Sequence, residues 1–378
     1  MKIYHKAVLP SGFLANGISC GIKKSGKADL ALFYSKMPAK ASCKFTSSSL
    51  PAAPILLNRD YLKKNRLFQA VIANSGNANC FTGKKGLKDA QAMSSYTAKA
   101  LGLKKEQVLV NSTGIIGRRL PVLKIKKAIV PLVKGLGPKA INKASRAILT
   151  TDNFAKEVSV KIRLGTKDIT FCGVAKGAGM IAPDMATMLC FIFTDANISQ
   201  GALTQALTAS VEESFNCITV DGCMSTNDTV ILLANAAAAN PLINTGSGYT
   251  RFAEALKFVC LELAKMIVHD AEGATKFIRI KVSRARNKEE AKKAGLYIAN
   301  SDLFKTAMYG QDPNFGRVVA ALGASGIKAR QDGIKIKLSP LQKKEIDVAV
   351  ELGTGNKEAV VYTCDLTPRY IKINAAYN

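Results

Sequence analysis

Residues 187–250 contain no lysine or arginine, in a chain that carries 54 of them over 378 residues. A cation cut off from water is expensive, so a stretch free of cations can be threaded through a core. Its first residues, MLCFIF (188–193), have the apolar run of a buried strand. Directly ahead stands KGAGMIAPDMAT (176–187). Gly177 and Gly179 allow backbone conformations that a Cβ forbids, Pro183 fixes one torsion, and Thr187 is left at the mouth of the strand. The ordinary reading of such a segment is a loop entering a strand. The chemical reading makes the Thr187 hydroxyl a nucleophile.

Histidine is scarce enough to sharpen that choice. His5 and His269 are the two in the chain, so a Ser-His-Asp or Cys-His relay has two candidate bases, one almost at the N-terminus. A threonine can instead use an N-terminal amine, and a cut between Ala186 and Thr187 would create that amine on the nucleophile itself. An α-amino group, with a reference pKa of about 7.7–8.0, is a suitable base near neutrality.

The net charge is +27 and unevenly placed. Residues 1–186 hold 32 Lys and Arg against 8 Asp and Glu, and residues 187–378 hold 22 against 19. A strongly basic half raises nucleic-acid binding, but the lysines are scattered or paired, Trp is absent, and no zinc-finger, K-homology or ribonucleoprotein-type motif occurs. Surface solvation, a genome-level lysine bias and attraction of carboxylate substrates are simpler accounts. The apolar run 229–243 contains Asn235, Asn240 and Pro241 and is too short for a bilayer, and MKIYHKAVLPSGF lacks a signal peptide's apolar stretch, so a cytoplasmic protein is expected. Nine cysteines with no C-x-x-C pair, set in contexts such as FCGVA and MLCFIF, read as reduced core residues rather than metal ligands.

Pattern predicts strands at 30–33, 70–73 and 108–110, a hairpin over 158–174 turning at Gly165-Thr166, and a helix over 88–101 closed by Gly102. Ser199 and Thr250 are expected caps of two later helices with apolar positions every three or four residues. RARNKEEAKK (284–293) reads as a linker-like charge run. The mixture indicates an α/β or α+β layered fold.

The segment KGAGMIAPDMATML (176–189) resembles the self-cleavage segment of the ornithine acetyltransferase family, the glutamate N-acetyltransferases of the cyclic arginine pathway. Similar blocks run the length of the chain, including IANSGNANCFTG (72–83), NSTGIIGRRLP (111–121), AILTTDNFAK (147–156), SFNCITVDGCMSTNDTV (214–230), HDAEGATK (269–276) and CDLTPRYIKINAAYN (364–378). The resemblance implies an αββα sandwich of the type shared with D-aminopeptidase-like autoprocessing hydrolases. It implies an α chain (1–186) and a β chain (187–378), with 187–283 completing the sandwich and 284–378 forming a smaller C-terminal module. These chains would assemble as a heterotetramer or larger. The implied reaction carries acetyl from N2-acetylornithine to L-glutamate through acetyl-Thr187, with no metal or cofactor and with acetyl-CoA as an optional second donor. Rivals are an autoprocessed amidohydrolase or aminopeptidase, and a non-catalytic nucleic-acid-binding protein.

Residue by residue, the resemblance implies that Thr187 is nucleophile and, with Ala186, cleavage site. Thr113 and Gly114 match the oxyanion-hole pair, where a placed donor contributes roughly 3–4 kcal/mol; a turn after a strand is the plainer alternative. Lys176, Thr150, Thr151, Glu272 and Asn374 match substrate-binding positions. A solvated lysine, a helix N-cap for the threonine pair and a capped turn at Glu272 are the corresponding plain readings. A Cys217-His269 or Cys223-His269 dyad is the rival catalytic arrangement. The chain departs from the family pattern in three ways: Ala182 and Asp184 stand where His and Asn are common, and the Ser or Thr expected after the tyrosines of the tail is either absent or replaced by the carboxylate of Asn378.

Overall fold

The computed structural model describes residues 1–182 and 188–376, so Asp184, Ala186, Thr187 and Asn378 lie outside the described residues. The chain divides into two compact units. One comprises Met1–Gly177, Asp184–Ser214 and Ser225–Leu263; the other comprises Ala178–Pro183, Phe215–Met224 and Ala264–Asn378.

In chain order the first unit contains β1 (Lys2–Tyr4), β2 (Phe13–Ile18), β3 (Leu30–Phe45), α1 (Ala53–Lys64), β4 (Leu67–Asn77), α2 (Gly83–Leu101), β5 (Val108–Ile115), α3 (Val122–Lys134) and α4 (Ile141–Ala147). It continues through β6 (Lys156–Leu164), β7 (Lys167–Lys176), β8 (Leu189–Thr194), α5 (Gln200–Glu212), β9 (Thr229–Ala234) and α6 (Gly246–His269), whose last residues belong to the second unit. The strands run β1-β6-β7-β8-β9-β3-β4-β5, with β2 also on β3.

Strand β3 is the corner of this sheet. Its first half pairs with β2 and β4, its second half with β9, and its pairing with β4 shifts register between Tyr34 and Ala39. The two limbs so created pack face to face: Phe33 of β3 meets Phe191 and Phe193 of β8 with ring centroids 5.1 and 5.2 Å apart, and Phe13 of β2 meets Phe193 at 5.2 Å. Burial of each ring contributes about 1.5–3 kcal/mol. Strand alternation turns Cys172 and Val174 of β7 into this interior and Phe171 and Gly173 outward. On that outer side Phe171 packs on Phe252 of α6 at 4.9 Å, and a Cβ on Gly173 would lie 2.7 Å from Val259 and Leu263, so glycine lets the helix settle on the strand. Helices α1 and α2 cover β5 on the other limb. The first unit is therefore layered αββα, as the resemblance implied.

The predicted hairpin forms, with Leu164 opposite Lys167 and Gly165 at φ +59°. Gly102 closes α2 at φ +69°, and the Ser199 hydroxyl accepts from the Ala202 amide to cap α5. Thr250 is not a cap. Helix α6 starts at Gly246, and the Thr250 hydroxyl donates back to the Gly246 carbonyl at 3.3 Å. The sequence GSGY is a poor helix former, which hid that first turn.

The second unit holds β10 (Phe277–Ala285), α7 (Lys288–Ala299), α8 (Asp302–Gly310), α9 (Phe315–Ala324), β11 (Lys335–Leu338), β12 (Glu345–Glu351), β13 (Lys357–Cys364) and α10 (Pro368–Ala375). Its sheet runs β11-β12-β10-β13, with β10 parallel to β12 and antiparallel to β13. Ala291, Ala294 and Ile298 of α7 share one core with Ile278, Ile280, Val282 and Val361. The charge run 284–293 is thus no linker. It ends β10 and opens α7, where the Asn287 side chain accepts from the Glu290 amide and Arg286 pairs with Glu290 at 2.8 Å. Its charges mark the solvent side of an amphipathic helix.

All nine cysteines are free thiols, and six are buried. Among the described residues no helix is long and apolar enough to cross a membrane.

Candidate active site

Strand β7 ends on Lys176, whose side chain is 2% exposed although it is a lysine. Its Nζ donates to Thr113 Oγ1 at 3.3 Å. Thr113 is itself buried near the end of β5, and Gly114 follows at φ +132°. A Cβ on Gly114 would fall 2.4 Å from the Gly76 carbonyl carbon, so the crossing of β4 and β5, where their register breaks, requires glycine. That close approach explains a glycine in NSTG without reference to chemistry, and it also leaves the Gly114 amide without a side chain in its way.

A buried carboxylate organises this corner. Asp152, in the segment between α4 and β6, accepts from the Gly177 amide at 2.7 Å, the Thr150 amide at 2.9 Å and Lys156 Nζ at 2.5 Å. The Asp152 and Lys156 side chains are 0% exposed. Burial opposes the charge on Asp152, but Lys176, Lys156 and the hydrogen bonds outweigh it and hold the carboxyl at about 2. Lys23 joins the cluster because Asp29 accepts the amides of Cys20, Ile22 and Lys23 at 2.6–2.9 Å and so shapes the loop before β3. Its Nζ donates to the Ala28 and Leu149 carbonyls, and burial, against the pull of Asp29 and Asp152, lowers its pKa to about 8. A cavity of about 830 Å³ opens here, lined among others by Lys23, Arg146, Thr150, Asp152 and Phe154. Three lysines thus surround one aspartate, which is a setting for an anion: a substrate carboxylate, or the oxyanion of acyl transfer.

In the second unit Glu272 has its own cradle. Its amide donates to the Ala178 carbonyl at 2.9 Å, and a Cβ on Gly179 would lie 2.3 Å from its Oε2, so the carboxylate rests directly on a glycine. Asn374 of α10 donates through Nδ2 to Glu272 Oε2 at 2.9 Å. Helix α10 is fixed by Thr367, which accepts from the Tyr370 amide and donates to the Gly273 carbonyl at 2.7 Å. Asp221 accepts from the Met180 and Ile181 amides and from the Tyr370 hydroxyl, and burial together with Asp221 pushes the Tyr370 pKa up.

Of the residues singled out in the sequence, Thr113, Gly114, Thr150 and Lys176 come together in the first unit, and Glu272 and Asn374 in the second. Thr151 is half-buried beside Thr150. The N-cap reading of this threonine pair is excluded, since the element that follows is strand β6. The solvated reading of Lys176 is excluded by its burial. Ala186 and Thr187 lie outside the described residues. For the rival dyads, burial and Asp221 both raise the pKa of the Cys223 thiol, the wrong direction for a nucleophile, and the His269 ring is stacked on Phe277 at 3.9 Å. Asp152, Lys156 and Asp221 are organising residues that sequence reasoning missed. The first two stand in the block AILTTDNFAK at i,i+4 spacing, the one sequence signal that pairs them.

Comparison with known proteins agrees over the whole chain. The protein is 42% identical over 98% of its length to the arginine biosynthesis bifunctional protein ArgJ of Caldanaerobacter subterraneus subsp. tengcongensis, covering 98% of that protein. It is 43% identical over 97% of its length to the protein of that name from Geobacter sulfurreducens, covering 98% of it. A crystal structure of ornithine acetyltransferase complexed with ornithine from Mycobacterium tuberculosis is 36% identical, covers 50% of this chain and 99% of that one, and superposes with a TM-score of 0.45. The ArgJ family profile matches residues 14–343 and 338–378, and the chain belongs to the ArgJ family.

Proposed function

We propose that the chain is an autoprocessed acyltransferase of arginine biosynthesis that cuts itself between Ala186 and Thr187 and then carries acetyl from N2-acetylornithine to L-glutamate. The observation that carries this reading is the buried Lys176 ammonium 3.3 Å from Thr113 Oγ1, on the strand that leads into the KGAGMIAPDMAT segment. A buried cation beside a hydroxyl is a preorganised place for developing negative charge.

The Thr187 hydroxyl attacks the acetyl carbonyl of N2-acetylornithine while the free Thr187 amine takes its proton. Thr113 and Gly114 donate to the oxyanion. The C–N bond breaks, ornithine leaves with the proton, and the glutamate amine then attacks acetyl-Thr187 in the reverse sense. Lys176, Thr150 and Thr151 are assigned to substrate, as are Glu272, matched to an ammonium, and Asn374, which orients Glu272. The reaction needs no metal. The relatives' name, bifunctional protein, fits acetyl-CoA as a second acetyl donor. We place the enzyme in the cytoplasm, where its free thiols stay reduced, as a heterotetramer or larger assembly of the two fragments.

Intact mass of the purified protein tests the first claim: two fragments from the 40.3 kDa chain are expected, the second starting at Thr187, and one uncut chain for Thr187→Ala. Uncut, fully active wild type overturns it. Product analysis then tests the acceptor: acetylglutamate must form from acetylornithine, and free acetate formed equally well without glutamate would make the protein a hydrolase. Thiol release from acetyl-CoA that depends on glutamate and Thr187 would establish the second donor.

A further inference from the structure

The cavity beside Thr150 is larger than one amino acid requires. At about 830 Å³ it stands near the top of the range, about 300–1,000 Å³, that sites for drug-sized ligands occupy. Three cations line it: Lys23 and Lys27 from the loop before β3, and Arg146 from the end of α4. Two acids, Asp152 and Glu157, line it as well, but both are already engaged. Asp152 holds two amides and Lys156, and Glu157 of β6 accepts from the Ala7 amide at 3.2 Å and from the Ser145 hydroxyl. Among the described residues neither Lys27 nor Arg146 pairs with a carboxylate.

A lone cation on an open surface needs no partner, since water and salt screen it. Here one of the three is held in place. Lys23 is half-buried, and its Nζ is fixed by the Ala28 and Leu149 carbonyls at 2.9 and 2.7 Å, which leaves one of the three ammonium donors for a ligand. Lys176 and Lys27 both push against this charge. Charges of one sign crowded into one hollow repel each other until an anion fills it, and they focus their field there.

We infer that this cavity binds the phosphate groups of acetyl-CoA, a reading that rests on that thioester being the second acetyl donor. A substrate carboxylate carries one charge and is met by one cation. A diphosphate with a further phosphate ester carries several, and it suits a cluster in which an arginine fork grips two oxygens and lysines act as point charges. Phe154 adds a platform: the Lys156 ammonium lies 5.0 Å from its ring centre, and the residue stays 43% exposed at the cavity wall, where a base can stack. The cavity reaches the oxyanion corner through Asp152, which lines it and accepts the amide of Gly177, next in the chain to Lys176. A ligand anchored by its phosphates among Lys23, Lys27 and Arg146 can thus extend its thioester arm past Thr150 towards Lys176 and Thr113.

The test titrates CoA, which has no acetyl group to transfer, into the purified full chain by calorimetry, beside pantetheine, which has no phosphate, and inorganic diphosphate. Lys27→Gln combined with Arg146→Gln removes two exposed charges. This double variant should bind CoA at least tenfold more weakly and raise the KM for acetyl-CoA by a similar factor, with transfer from N2-acetylornithine to glutamate within twofold of wild type. Pantetheine should bind both proteins alike, and diphosphate should displace CoA from wild type. Equal CoA affinity in the two proteins overturns the inference. So does a KM that rises for glutamate instead, which would make the cavity the site of the acceptor's carboxylate. If circular dichroism shows the fold lost, Lys27→Gln alone decides, with at least a threefold loss of CoA affinity expected and no loss overturning. Thiol release from acetyl-CoA separates the two readings: a wild type that releases none refutes the second donor, whereas release with an unchanged KM in the double variant refutes the cavity alone.

Discussion

Two aspartates of the first unit, both with buried side chains and both within reach of Lys176, have their pKa values driven in opposite directions. Asp152, between α4 and β6, receives two backbone amides and the Lys156 ammonium, and its carboxyl is held at about 2. Asp228, at the entry to β9, receives one amide on one oxygen, and burial wins. Burial opposes ionisation in both places; at Asp152 the Lys176 and Lys156 charges and the hydrogen bonds outweigh it, and at Asp228 one amide and Lys176 do not. The first region favours the charged carboxylate among cations, and the second disfavours it.

The largest effect should come from removing the fixed anion. Asp152→Ala leaves Lys156 and Lys176 buried without it, and breaking such a pair typically costs about 3–5 kcal/mol. Urea unfolding should show this loss together with loss of activity; a variant as stable as wild type would mean that Asp152 is not the charge on which the corner depends. The sign with pH follows from a folded pKa below the unfolded one. The stabilisation is present above about pH 4 and is lost as pH falls through about 2, on the order of 2 kcal/mol, and Asp152→Asn should abolish that acid limb.

Lys176→Met sharpens the comparison, because it removes the one cation common to both carboxyls. Both should move up, Asp152 only partly since Lys156 remains paired with it at 2.5 Å. NMR titration of labelled aspartates checks this, and an Asp152 that stays in place would assign its ionisation to Lys156 and the amides alone. Acetyl transfer should fall by about 100-fold, the scale of losing one charge-stabilising group at an acyl-transfer centre.

Periodicity and turn chemistry made the hairpin at Gly165, the helix closed by Gly102 and the Ser199 cap legible in advance, because each rests on local residues. The sandwich was not legible in that way. It depends on β3 running 16 residues through a register shift, so that Phe33 faces Phe191 and Phe193 from a distant part of the chain. The same limit applied to the site. Lys176, Thr113 and Glu272 could be marked from their motifs, but motifs carry no burial. Asp152 and Asp228 stand unmarked inside their blocks, since an aspartate in a polar loop gives no sign of which amides it will receive.

The smallest effect isolates the raised carboxyl itself. A carboxyl whose folded pKa lies above its unfolded value costs nothing below about pH 4, where both states are protonated. As pH rises, the unfolded chain ionises freely while folded Asp228 does not, so stability is lost progressively until the folded carboxyl also ionises. Asparagine has the same shape, keeps the acceptor for the Met188 amide and does not titrate, although its NH2 group takes the place of an oxygen without a partner. Placed in Thr187→Ala, so that cleavage does not alter the comparison, Asp228→Asn should therefore abolish the loss of stability that Asp228 brings as pH rises. Thermal melts of the single and double variants across that range check it. A difference in favour of asparagine that grows with pH would bear out the raised carboxyl, whereas a difference that runs the other way would make Asp228 an ordinary ionised partner of Lys176 and remove the contrast with Asp152.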